Sequence, residues 1–230
     1  MVSLKLVVDE YMAKVSGLDQ FCERCLATRR WGGSVVTMIV DAAFTSIGLA
    51  YFTSVVPKVE LFRQRFLETE EIVGAQGLAA ADVEGLLEVW RNRRSWDVAR
   101  GVARHLSSLN LESDLAAFRS WADHSRLENW RQNPIGSIRG VGLVTYQYLR
   151  MMGGVDTVMP DKIVKRVVNE MLRKAGMKQV TDDYEFIETA EELAAHCGYR
   201  PIEVCWMTWL VQPEGKLMRM DKYRRLLGEI

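Results

Sequence analysis

The sequence predicts an all-α fold of about ten helices joined by short connections. Apolar residues recur at steps of three and four, and the alternating runs typical of β-strands are scarce. Two helix starts are also marked, at Asn133-Pro134 and Pro160-Asp161, because Asn or Asp can cap a helix and Pro suits its first turn. The periodic segments are residues 86–90, 98–106, 115–122, 164–172 and 202–209.

Length and composition are those of an ordinary folded protein. The 230 residues suffice for one large domain or two small subdomains with a core, and 48% of them are hydrophobic. The uncharged stretch Ala42–Pro57 has 16 residues, fewer than the roughly 20 that a membrane span needs, so it predicts a buried central helix. Residues 1–10 lack the apolar core of a signal peptide. We therefore expect a monomeric cytoplasmic protein that does not bind a membrane.

Four cysteines are present, at Cys22, Cys25, Cys197 and Cys205. The first two have CxxC spacing, but the other two are separated by seven residues and form no second CxxC pair. Reduced, partly buried thiols are the expected state in a cytosolic chain. A metal site that joins the two chain ends, with His196 as a further ligand, is an alternative that this spacing fits only loosely.

Charge is balanced over the whole chain and uneven along it. Lys and Arg together number 30, as do Asp and Glu, so the total does not favour a nucleic-acid partner. Residues 91–104 hold five Arg and one acid, and residues 161–178 hold six bases and two acids. These two stretches could form one surface that faces phosphate, or they could be solvated helix faces.

A glycine turn precedes a predicted helix that runs from Leu143 to about Met152. In the turn, Arg139-Gly140-Val141-Gly142, two glycines two positions apart permit positive φ and a close approach of the backbone to a ligand. The free N–H groups at the start of the following helix would add an anion site, and Val141 would pack inward. The same residues also fit an ordinary corner between helices with a glycine C-cap.

The pattern Ile135-x-x-Ile138-x-Gly140-Val141-Gly142-x-x-Thr145 resembles the hairpin of the helix-hairpin-helix DNA glycosylases, the endonuclease III-like superfamily. In that family, a link that contains glycine follows the helix after the hairpin and leads to a second characteristic segment. Gly153-Gly154 corresponds to the link in this sequence, and residues 160–167 resemble the second segment. Upstream, residues 82–106 and the apolar helix around Val40–Leu49 are also similar, so the resemblance spans about residues 35–175. It implies two helical subdomains, residues 31–153 and residues 1–30 plus 154–230, with the site in the cleft between them.

The resemblance implies a base-excision repair glycosylase that acts on double-stranded DNA near the nucleoid, with Asp161 as its catalytic carboxylate. Such a carboxylate stabilises an oxocarbenium-like sugar and can deprotonate water. Its place in the first helical turn should favour the ionised form. The segment Val155-Asp156-Thr157 also resembles the start of the family's aspartate segment. In that register, however, the Val and Arg that the family carries downstream would fall on Met159 and Asp161, which do not match. The residues expected to bind DNA are Arg139, Gly140, Val141, Gly142, Thr145, Lys162 and Arg166.

Some family members cut the strand with a lysine in the helix after the hairpin, which forms a Schiff base. That position falls on Val144 here, so the resemblance implies a monofunctional hydrolase without lyase activity. The family's cluster-binding cysteine spacing is absent, so we expect no iron–sulfur cluster and no metal ligand. The one cofactor that the resemblance still allows is a monovalent cation bound at the hairpin.

Two features of the sequence keep other interpretations open. The central helix lacks the Gln that the family often carries near its DNA wedge, since residues 22–62 contain no Gln. Trp31, Tyr51, Tyr146 and Tyr148 could line a base pocket or belong to the core. The alternatives are a catalytically silent helix-hairpin-helix DNA-binding protein, or an unrelated helical enzyme or adaptor with a chance GVG turn.

Overall fold

The computed structural model describes residues 3–46, 50–212 and 228–230. Within these residues the regular structure is entirely helical, so the prediction of an all-α fold is confirmed, with twelve α-helices rather than about ten. A 3₁₀ turn at Arg30–Gly33 and π-helical turns at Tyr51–Val55 and Arg63–Leu67 accompany them. The helices are α1 (Leu4–Met12), α2 (Leu18–Leu26), α3 (Val35–Thr45), α4 (Val56–Phe62), α5 (Gly74–Ala80), α6 (Val83–Leu87), α7 (Arg93–Ser108), α8 (Asp114–His124), α9 (Leu143–Met152), α10 (Lys162–Lys174), α11 (Asp183–Cys197) and α12 (Pro201–Leu210).

The helices pack in two sets around one continuous hydrophobic core. In one set, α3 and α7 contact each other, and α4, α5, α6, α8 and α9 pack around them. In the other, α1 and α2 from the start of the chain pack against α12, and α10 and α11 complete the group. Contacts between α2 and α9 connect the sets. The division into subdomains at residues 31–153 and 1–30 plus 154–230 stays a prediction.

The buried central helix begins earlier than the uncharged stretch suggested. Helix α3 runs from Val35 to Thr45, and the residues from Val35 to Phe44 are all buried. Its start is set by Ser34, whose side chain accepts a hydrogen bond from the Thr37 N–H. The central helix therefore lies closer to the N-terminus than the predicted range Val40–Leu49. Residues 47–49 of that range lie outside the described residues.

The segment that begins at Asn133-Pro134 is not a regular helix, contrary to the prediction. Residues 128–140 form successive turns. The side chain of Asn133 accepts hydrogen bonds from the Ile135 N–H and the Trp121 indole, both at 3.0 Å, which ties the segment to α8. A Cβ on Gly136 would lie 1.7 Å from the Trp130 carbonyl oxygen, so only glycine fits at this place in the turns. The cap that sequence predicts is present, but it starts a turn.

Two other predictions concern membrane spans and the cysteine thiols. None of the described helices combines the length and the apolar character that crossing a bilayer requires. All four cysteines are buried and free, as expected for reduced thiols. Burial raises the pKa of Cys22 and Cys205, so both thiols are poor nucleophiles at neutral pH.

Candidate functional site

Asp161 is the N-cap of α10, at the helix start that the sequence predicts. Its Oδ1 accepts hydrogen bonds from the N–H groups of Ile163 at 2.7 Å and Val164 at 2.8 Å. Its Oδ2 is buried, and no main-chain group among the described residues donates to it. The residue lines an open cleft of about 210 Å³. One carboxylate oxygen is therefore fixed by the helix, and the other is not.

Both sets of helices contribute walls to this cleft. Thr45 and Ser46 come from the end of α3, and Val144 from the first turn of α9. On the other side lie the residues around the start of α10, and Trp209 from α12. The fold thus brings Asp161 together with Val144, the residue that lies two positions after the glycine turn.

Burial raises the pKa of Asp161 to about 6, from an ordinary value of 3.8. The N–H groups of Val164 and Ile163, the indole of Trp209 and the charge of Arg166 oppose this rise but do not cancel it. The N–H groups at the helix start do favour the ionised form, as expected, but desolvation raises the pKa of Asp161 by more. The net shift of the pKa is therefore opposite to the prediction. Carboxylates that titrate this close to neutral pH are typical of functional sites.

A second, inner pocket lies behind Thr45 and Trp209. It encloses about 10 Å³, room for about one water molecule, so side chains fill nearly all of it. Of the four aromatic residues considered from the sequence, Tyr51 and Tyr148 line this pocket, whereas Trp31 and Tyr146 belong to the core. Its remaining walls are Met151, Met159, Cys205 and Trp206.

A buried charged cluster holds these two tyrosines. Oδ2 of Asp41 lies 3.0 Å from Nη2 of Arg30, and the side chains of this ion pair are fully buried. The same oxygen lies 2.9 Å from the Trp31 indole nitrogen and 3.0 and 3.1 Å from the hydroxyls of Tyr51 and Tyr148. Burial raises the pKa of both tyrosines, so their hydroxyls stay protonated and can donate. The cluster therefore fixes two walls of the inner pocket.

The glycine turn lies against α7. Gly140 has a φ of +106°, as predicted, and a Cβ there would lie 2.9 Å from Val98 and 3.1 Å from Nε of Arg94. Gly142 instead has a φ of −101°, which any residue adopts, and open space where a Cβ would be. Positive φ is therefore confirmed only at Gly140. Val141 is buried, as predicted.

The other predicted DNA-binding residues differ in exposure. Arg139, Lys162 and Arg166 are exposed, and Arg166 donates to the side chain of Gln212 at 2.5 Å. Thr145 is only 3% exposed, so its hydroxyl does not face solvent. The prediction for Thr145 is therefore corrected: only its main chain remains for a phosphate contact.

Two charged residues close to Asp161 in sequence, Asp156 and Lys165, interact with residues outside the cleft. Asp156, the other aspartate with a similar pattern, accepts a hydrogen bond from the Ile202 N–H at 2.9 Å and caps α12. Lys165 forms an ion pair with Asp183 at 2.5 Å. The cleft residues include Asp161 but not Asp156, and the choice of Asp161 as the catalytic carboxylate stays a prediction.

Sequence reasoning missed Arg94 and Trp209. Arg94 belongs to the Arg-rich stretch 91–104, which signalled a basic surface but not that this one side chain packs on Gly140. Trp209 lies 48 positions after Asp161, and no local pattern connects the two residues. Only the packing of α12 beside α10 brings Trp209 to the cleft.

No group of three or more His, Cys, Asp and Glu side chains is placed to hold a metal ion in the part of the chain that the structure describes. A monovalent cation at the glycine turn would have to bind main-chain carbonyl groups, and it stays a prediction. Comparison with protein-family models, curated proteins and solved structures finds no match. The case for a function therefore rests on the cleft and the turn.

Proposed function

We propose that this protein is a monofunctional DNA glycosylase of the helix-hairpin-helix type, which hydrolyses the N-glycosidic bond of a damaged base in double-stranded DNA. The observation that carries the proposal is the buried carboxylate of Asp161 on the wall of an open cleft, with an Oδ2 that no main-chain group holds. Leaving such an oxygen without a main-chain partner destabilises a fold, and a catalytic role is one recognised reason for such an exception. In the proposed fold, this cleft separates the two subdomains.

The proposed reaction uses Asp161 as carboxylate. As the bond between C1′ and the base nitrogen breaks, the electron pair leaves with the base and positive charge develops on the sugar. The carboxylate stabilises that charge and takes a proton from the water whose oxygen bonds to C1′. A proton returns to the released base, so the products are the free base and an abasic site. The reaction requires ionised Asp161, and base release should therefore rise with pH through about 6.

The glycine turn is the proposed phosphate contact. Gly142 caps α9 without a side-chain hydrogen bond, so the first N–H groups of that helix stay open to an anion. The backbone of the free protein does not require glycine there, whereas a closely approaching phosphate would. Arg139 beside the turn, with Lys162 and Arg166 at the start of α10, supplies positive charge.

Arg94 extends this surface, because its exposed side chain packs on Gly140. We expect Arg94→Ala to weaken binding to duplexes of any sequence and to reduce the salt slope of log K by about 1. The measurement is fluorescence anisotropy at several salt concentrations. Arg93→Ala is the matched control, because Arg93 is the adjacent exposed arginine but forms an ion pair with Glu84. Equal effects of the two substitutions would argue against a specific role for Arg94.

The experiment that tests the proposed function is a panel of duplexes that carry uracil, alkylated or oxidised bases. Release of free base from at least one of them by the wild-type protein is the expected result. The narrow inner pocket favours one alternative, a catalytically silent DNA-binding protein, because side chains already occupy the space behind the cleft. Salt-sensitive binding without release from any duplex would support that alternative and contradict the proposal.

Val144 lines the cleft beside Asp161, and its side chain carries no amine. We therefore expect borohydride to trap no covalent adduct between the wild-type protein and abasic DNA. Val144→Lys should form one, because its amine can add to the C1′ aldehyde of the opened sugar, lose water and leave an imine that hydride reduces. Val144→Met is the control of similar length. The absence of an adduct with Val144→Lys would show that C1′ does not reach this part of the cleft, and an adduct with the wild-type protein would contradict the proposal of a hydrolase without lyase activity.

A further inference from the structure

Trp209 is the side chain that connects the cleft with the inner pocket. It lines both cavities, a position that only Thr45 shares. Its indole nitrogen is buried, and the indole is placed to act as a hydrogen-bond donor that lowers the pKa of Asp161 on the same cleft. No other group among the described residues pairs with the indole N–H or with Oδ2 of Asp161.

We infer that Trp209 is a positioning residue for Asp161: its indole N–H orients the free carboxylate oxygen, and its ring separates the cleft from the inner pocket. The ring is fixed by edge-to-face contacts with Tyr51, at 5.5 Å between centroids, and with Phe52, at 6.5 Å. Its catalytic importance rests on the proposed function, whereas the contact with Asp161 does not.

The electrostatics agree with this geometry. Trp209 is among the groups that lower the pKa of Asp161 against the effect of burial. The other groups with charge or a titratable proton near Asp161 are Lys162 and Arg166 on α10 and Cys205 on α12. Helices α3 and α9 contribute only uncharged side chains to the cleft. The indole N–H is thus a neutral donor that favours the ionised carboxylate.

The test replaces the indole by a ring of similar shape without the N–H. We expect Trp209→Phe to raise the pKa of Asp161 by about one pH unit, because a hydrogen bond to the charged form is lost. The carboxylate is titrated directly by carbon-13 NMR, and the acidic limb of base release should move by the same amount. Trp206→Phe is the matched control: Trp206 lies on the same helix and also has a buried indole, but that indole interacts with Cys25, and the residue lines the inner pocket and not the cleft.

A second measurement needs no substitution at Trp209. In the wild-type protein, the indole N–H resonance of Trp209 should shift with a midpoint of about 6, as Asp161 titrates. The shift should disappear in Asp161→Asn, and the Trp206 resonance should not follow pH in either protein. A Trp209 resonance whose chemical shift does not change with pH, or a pKa of Asp161 that is unchanged in Trp209→Phe, would overturn the inference. Both NMR results are independent of base release, so failure of the proposed function would leave them readable.

Discussion

Asp161→Asn is expected to slow base release by at least about 10²-fold and, at the same time, to make the protein more stable at neutral pH. The asparagine oxygen can accept the same two N–H hydrogen bonds that Oδ1 of Asp161 accepts in α10. The substitution removes a carboxylate whose pKa is raised to about 6 by burial, a shift that corresponds to about 3 kcal/mol of destabilisation when the group is ionised. Loss of the charge should lower the rate of base release by about 10²- to 10⁴-fold.

The gain in stability should depend on pH in a defined direction. The pKa of Asp161 is higher in the folded protein, at about 6, than its ordinary value of 3.8. The folded state therefore binds the proton more tightly, and the wild-type protein loses stability as pH rises from about 4 to about 6. Urea unfolding should show Asp161→Asn more stable than wild type at pH 8, with the difference vanishing below about pH 4.

Asp182 provides a matched control for this result. It caps α11 with hydrogen bonds to two N–H groups, those of Tyr184 at 2.9 Å and Glu185 at 3.0 Å, but it is exposed. Asp182→Asn should therefore leave the free energy of unfolding nearly unchanged at both pH values. If Asp161→Asn instead destabilises the protein at pH 8, the carboxylate of Asp161 serves the fold, and the main argument for a functional site is lost.

The second large effect is expected at the buried ion pair. Asp41→Asn should lower the free energy of unfolding by about 3–5 kcal/mol, because it leaves the fully buried guanidinium of Arg30 without a counter-charge. Tyr51 and Tyr148 would lose a charged acceptor as well. Urea unfolding of the variant at neutral pH measures the effect.

Two controls separate the buried charge from a general loss of packing. The double variant Arg30→Met/Asp41→Leu should recover part of the stability, because removing both charges leaves neither one unpaired, while Trp31, Tyr51 and Tyr148 still lose their shared acceptor. Lys5→Ala breaks the exposed pair between Lys5 and Asp9, at 2.9 Å, and should cause no measurable change. If Asp41→Asn is as mild as Lys5→Ala, the cluster does not hold the walls of the inner pocket.

Local patterns predicted the elements around the site. The cap at Asp161 follows from residues within one helical turn, and it is present. The positive φ of Gly140 was likewise predictable, because glycine adopts it without strain. Spacing also selected Asp161 over Asp156; both side chains accept hydrogen bonds at helix starts, and Asp161 in addition lines the cleft.

Features that depend on tertiary packing could not be predicted. The pKa of Asp161 is raised because the surrounding helices exclude water, whereas the sequence showed only the helix start that would lower it. Asn133 caps a turn rather than a helix, and the turn brings Gly136 close to Trp130. Trp209 reaches the cleft only through the packing of α12, and the fold, not any motif, puts it there.

The central claim is that the cleft beside Asp161 is where the glycosidic bond is hydrolysed. Its most direct test is the single-turnover rate of base release from a damaged duplex, with wild type and Asp161→Asn each in saturating excess at pH 8. The account predicts release by the wild-type protein and a loss of at least about 10²-fold in the variant, with duplex affinity retained. Equal rates for the two proteins would contradict it, because the reaction would then proceed without the carboxylate that defines the site.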